Sequence, residues 1–69
     1  MNLQDYRAKL GWSKAKLARE AKISVSTVID AENGKAIYTA TAGKIANAIS
    51  KGLGQEITYK DIDGLNLAD

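Results

Sequence analysis

The stretch Ser13-Lys-Ala-Lys-Leu17-Ala-Arg-Glu-Ala21-Lys-Ile-Ser24-Val-Ser-Thr-Val28-Ile-Asp-Ala31-Glu-Asn-Gly34 reads as two short helices separated by a tight turn. Leu17, Ala18 and Ala21 form one apolar stripe at helical spacing, and Ile23, Val28 and Ala31 form the next. Only Lys22, Ile23 and Ser24 are left to turn the chain. Two helices this short, joined by so few residues, must cross steeply and share one core.

Working outward, helix starts are well marked. Ser13, Ser24 and Thr58 each stand as an N-cap before a helical run. Each follows an apolar residue whose partner lies five positions on: Trp12 with Leu17, Ile23 with Val28, Ile57 with Ile62. That is the hydrophobic staple, which sets the angle at which the chain enters a helix. Thr58 with Asp61 approximates a capping box. Gly11, Gly34, Gly52, Gly54 and Gly64 follow apolar-periodic runs, the position of C-terminal caps. Helices are expected over about residues 2–10, 14–21, 25–33 and 40–51, with a short fifth over 59–63. Gln55 to Tyr59 has the β-branching of a short strand, but the Thr58 cap outweighs it. The fold class is all-α, a compact bundle of four to five short helices.

Composition narrows the function. The chain has 69 residues, enough for one domain over 1–69, with a core over about 3–53 and a C-terminal helix or tail over about 55–69. A chain of this size buries only about 60% of its unfolded surface, so its stability is modest. It has no Cys and no His, which removes disulfides, zinc fingers and His-based acid–base chemistry. With no paired carboxylates at useful spacing and no phosphate-cradling glycine loop, an enzyme is not expected, nor a cofactor or a metal. No signal peptide or apolar run of membrane-spanning length is visible, which suits a cytoplasmic setting without a membrane partner. The formal net charge is +2, unevenly spread: residues 7–44 hold eight bases against three acids, and residues 50–69 hold two bases against four acids. A basic middle with an acidic tail suits a polyanion-binding face on one side of a small globule.

The Ser13–Gly34 spacing is that of a helix-turn-helix, a unit that presents its second helix to the major groove of DNA. On Leu17-Ala18, Ile23-Ser24, Val28 and Glu32-Asn33-Gly34, the chain resembles the DNA-binding domains of the Xre family, which includes phage Cro proteins and repressors. Lys44-Ile45-Ala46-Asn47-Ala48-Ile49 is similar to the family's fourth helix, and Arg7 stands where the family often has an arginine in helix 1. The likeness covers roughly residues 3 to 53. It implies a lambda-repressor-like fold and a sequence-specific regulator that binds double-stranded DNA, complete or cut from a longer repressor. In that family glycine commonly occupies the position of Lys22, where a left-handed backbone is favoured.

With Val28 and Ala31 turned inward, Val25, Ser26, Ile29 and Asp30 remain as the base-contacting face of helix 3. None of these is an Arg, Lys, Asn or Gln, the residues that read guanine or adenine with two bonds. Val25 and Ile29 offer apolar contact to thymine methyls, Ser26 can donate or accept, and Asp30 can accept from cytosine N4. Phosphate contacts are expected from Lys14 at the start of helix 2, from Thr27, and along Asn33, Lys35, Tyr38 and Thr39. The resemblance places Arg7 and Glu32 on facing sides of helices 1 and 3, a bidentate pair that orients helix 3. Tyr6 and Trp12 are expected in the core.

A second reading uses the same scaffold as a protein-interaction module, an antirepressor or modulator. Val25, Ile29 and the apolar tail (Ile57, Ile62, Leu65, Leu67) would then hold another regulator. Leu65 and Leu67 lie beyond Gly64, alternate with Asn66, and are expected to be exposed, as part of a homodimer or partner interface.

Overall fold

The first helix, α1 (Leu3–Leu10), begins with a reciprocal cap. Asn2 Oδ1 accepts from the Asp5 N–H at 2.8 Å, and Asp5 Oδ2 accepts from the Asn2 N–H at 3.2 Å. Two of the donors that every helix start leaves open are thereby satisfied. Gly11 ends the helix in the left-handed region, at φ 70°. Ser13 caps α2 (Lys14–Ala21) and Ser24 caps α3 (Val25–Glu32), each Oγ accepting the N–H three residues on at 3.1 Å. The computed structural model describes residues 1–68.

Between α2 and α3, Lys22 adopts φ 59° and ψ 44°. Among the described residues it is the one non-glycine with positive φ. A side chain in this region costs roughly 1–2 kcal/mol, because Cβ crowds the following carbonyl oxygen. Here that strain lets three residues reverse the chain.

After α3 come a two-residue strand, β1 (Ala36–Ile37), and the longest helix, α4 (Thr39–Leu53). A single 3₁₀ turn covers Tyr59–Asp61, and a second two-residue strand, β2 (Asn66–Leu67), lies near the end of the described chain. The strands pair in parallel, Ala36 with Asn66 and Ile37 with Leu67. The architecture is therefore mostly helical, with four helices around one core and a minor strand pair. Leu3, Leu17, Val28, Ile45 and Ile49 are its largest fully enclosed side chains. Ile37 from β1 and Ile62 from the tail close it, and Trp12, Ile23 and Ile57 pack half-buried against it. Tyr6 is buried and its hydroxyl donates to the Asp61 carbonyl at 3.4 Å.

Three expectations are corrected. The fifth helix expected over 59–63 is only the 3₁₀ turn. There the Thr58 N–H donates to Asp61 Oδ2 at 2.9 Å and its hydroxyl points to the same oxygen at 3.3 Å. Ser50 holds the preceding turn: its hydroxyl accepts the Ile57 N–H at 2.8 Å and lies 2.8 Å from the carbonyls of Ala46 and Ile57. This anchorage to α4 leaves little chain for a further helix.

Leu65 and Leu67 are not exposed. Both are half-buried against the core. The tail folds back onto β1, where the Ala68 N–H donates to the Ile37 carbonyl at 2.7 Å. It also meets the other chain end: the Asp63 N–H donates to the Met1 carbonyl at 3.0 Å, and Asp63 Oδ2 pairs with the terminal ammonium at 3.0 Å. Leu65 and Leu67 are thus half-covered by the chain's own core rather than exposed.

Gly52 is not a cap but lies inside α4, and Gly54 ends the helix at φ 69°. A Cβ on Gly52 would sit 2.8 Å from Leu10 Cδ2 and 2.8 Å from Trp12 Cζ2. The glycine makes room for the corner between α1 and α2. Gly52→Ala gains about 1 kcal/mol in helix propensity, but overpacking against a rigid indole costs about 1–3 kcal/mol. The expected net result is a loss of about 1 kcal/mol in a urea titration; a stabilised variant would show that Trp12 moves aside freely.

Candidate nucleic-acid interface

Helix α3 has two unlike faces. Val28 and Ala31 are buried against α2 and the rest of the core. On the other side Val25 is 41% exposed and Ile29 38% exposed, with Ser26 exposed beside them. The structure thus brings Val25, Ser26 and Ile29 together on one open surface. Asp30 borders that surface and is partly engaged: its carboxylate lies 3.7 Å from Lys35 Nζ. The pair is loose and wet, with side chains 44% and 70% exposed. Such pairs are worth about 0–1 kcal/mol, so a phosphate oxygen can draw Lys35 away at little cost.

The residues expected to meet phosphates are distributed unequally. Lys14 is half-buried at the start of α2. Thr27 is half-buried, and its Oγ1 lies 2.8 Å from Ser24 Oγ, so its hydroxyl belongs to the cap of α3. Asn33 ends α3 with its backbone N–H bonded back to Ile29 and Asp30. Gly34 follows at φ 78°, and the Lys35 N–H closes the turn onto the Asp30 carbonyl at 2.9 Å. From this turn Lys35 projects outward, Tyr38 is 68% exposed, and Thr39 opens α4 half-buried. Asn33, Lys35, Tyr38 and Thr39 therefore line one loop, with Lys14 on a separate element. Asn66 Nδ2 donates to the Gly34 carbonyl at 3.3 Å, so the tail braces this loop. That contact joins positions far apart in the sequence and carries no local signal.

The orientation of α3 is set by Arg7. Its Nε donates to Glu32 Oε2 at 2.6 Å, its Nη2 to Glu32 Oε1 at 3.1 Å, and its Nη1 to the Trp12 carbonyl at 3.0 Å. One side chain thus ties α1, the end of α3 and the loop before α2. The Arg7 side chain is 16% exposed and that of Glu32 4%. A carboxylate in the last turn of a helix sits at the negative end of the helix dipole, an unfavourable place for it. The guanidinium supplies the compensating charge. In return the hydrogen bond to Glu32 lifts the Arg7 pKa above its already high ordinary value; burial opposes this, and the attraction between the charges adds to it.

The arrangement offers a half-apolar helix face bordered by a loop with an exposed cation and an exposed phenol. No helix among the described residues is long and apolar enough to cross a membrane. A family model described as helix-turn-helix matches residues 3–59. Neither the curated proteins nor the solved structures gave a match to the chain.

Proposed function

The chain belongs to the helix-turn-helix family of Xre-like DNA-binding transcription regulators, and on that premise we propose that it is a sequence-specific, repressor- or Cro-like regulator that places α3 in the major groove. The observation that carries this reading is the open surface of Val25, Ser26 and Ile29 on a helix whose opposite face is buried and whose end is clamped by Arg7. Base edges are then met by apolar contacts to thymine methyls and by one adaptable hydroxyl. Asp30 accepts from cytosine N4. Lys14, Thr27 and the loop residues Asn33, Lys35, Tyr38 and Thr39 position the protein on the phosphates. Two such domains on one operator would read half-sites about 34 Å apart.

Selection of bound sites from a random duplex pool tests the proposal. An enriched motif rich in thymine is expected. Lys14→Ala and Lys35→Ala should weaken binding to every sequence and reduce the salt slope by about one unit each. Ser26→Ala and Ile29→Ala should instead change which bases are preferred. A pool that enriches no motif would transfer the exposed face of α3 to a protein partner, as in an antirepressor.

A further inference from the structure

A groove of about 170 Å³ runs between α2 and α4. Lys22, Lys44 and Lys51 line it, with Asn47 between the two α4 lysines. All three lysines are exposed and, among the described residues, none makes an ion pair. The acid in the groove, Glu20, is already held by Lys16 at 3.1 Å. Three lysines without an ion pair therefore line one open hollow, and the acid among its lining residues is already paired.

We propose that this groove is a second phosphate-binding surface, in which Lys22, Lys44 and Lys51 grip the DNA backbone at the opposite end of α3 from Lys35 and Tyr38. The proposal rests on the reading of α3 as the DNA-facing helix. Lys22 lies three residues before Val25, and Lys35 three residues after Glu32. Lys22 and Lys35 therefore place one cation just beyond each end of α3. The face of α3 itself supplies no cation, since Val25–Glu32 contains neither Lys nor Arg. Lys14 and Lys35 alone would give a salt slope of only about −1.8, against the six to ten phosphate contacts of a protein that holds duplex firmly. The groove supplies three more.

Glycine adopts φ 59° without strain, whereas lysine does not, so exchanging Lys22 for glycine separates the cost of its backbone from the contribution of its charge.

The experiment measures affinity for a fluorescent duplex of arbitrary sequence across a salt series. The proteins are the parent chain, Lys22→Gly, the triple variant Lys22→Gly/Lys44→Gln/Lys51→Gln, and Lys35→Ala as a reference for the other end of α3. The triple variant should lose about 2.7 units of salt slope, at about 0.9 per contact. Between about 50 and about 200 mM salt the parent should then lose about 40-fold more affinity than the triple variant. Lys22→Gly alone should melt a few degrees higher yet bind DNA more weakly, opposite movements that a purely structural lysine would not produce. If the triple variant keeps the parental slope while Lys35→Ala lowers it, the groove does not touch DNA and the proposal fails. If the parent binds no duplex at any salt, the reading of α3 fails and takes this proposal with it.

Discussion

Glu32→Ala should cost about 3–5 kcal/mol, because it strands a guanidinium whose side chain is only 16% exposed. At about 0.05–0.15 kcal/mol per residue, a chain of 69 residues has roughly 3–10 kcal/mol in all. The variant should therefore be largely unfolded or melt far below the parent when followed by circular dichroism. The companion Arg7→Met/Glu32→Leu replaces both charges with apolar groups and should recover much of the loss. It should not recover all of it, because the Trp12 carbonyl forfeits its bond from Arg7 Nη1. A Glu32→Ala protein that melts within a degree of the parent would show that the pair is solvated and holds nothing. The pH response has a definite sign. A group whose pKa is raised by folding contributes stability below its unfolded pKa and loses it as pH rises through the folded value. For Arg7 both values lie in strongly alkaline solution, so its contribution is constant from neutral to mildly alkaline pH.

Ending the chain at Gly64 should have the next largest effect. It removes Leu65 and Leu67 from their half-buried places and the parallel partner from β1. It also takes away the Ala68 N–H that bonds the Ile37 carbonyl at 2.7 Å, and uncovers Ile37, now 6% exposed. Half-burial of two leucines contributes about 1 kcal/mol each, and the backbone bond about 1 kcal/mol more. A loss of about 3 kcal/mol is expected in a urea titration of residues 1–64 against the full chain. Undiminished stability would mean that the tail merely lies on the core. Because Asn66 braces Gly34, the shortened protein should also hold the α3–α4 loop less firmly.

Local chemistry explains which parts of this fold are legible in the sequence. Ser13 and Ser24 cap helices through bonds to residues three positions away, so the signal lies within one turn of sequence. Val28 and Ala31 face inward by periodicity, which leaves Val25, Ser26 and Ile29 outward by subtraction. The β1–β2 pair was hidden because two residues per strand cannot display an alternation, and its partners are thirty positions apart. Gly52 follows an apolar run as a cap would; only the indole of Trp12 against it reveals a packing role. The Asp30–Lys35 contact and the lysine groove share one obstacle. Each depends on how a turn or two helices place charges side by side, which charge counting along the chain does not encode.

The parallel strand pair also sets an order of events during synthesis. Ile37 leaves the ribosome about thirty residues before Leu67, its partner. At about 5–20 residues per second that is an interval of roughly 1.5–6 s. Helical contacts form far faster than this, so α1 to α3 can assemble while the edge of β1 is still bare. For those seconds the nascent chain carries an unpaired strand edge beside an uncovered isoleucine, the kind of surface that chaperones hold and neighbouring chains can capture. Brevity is its protection: two residues offer too short a template for another chain to extend.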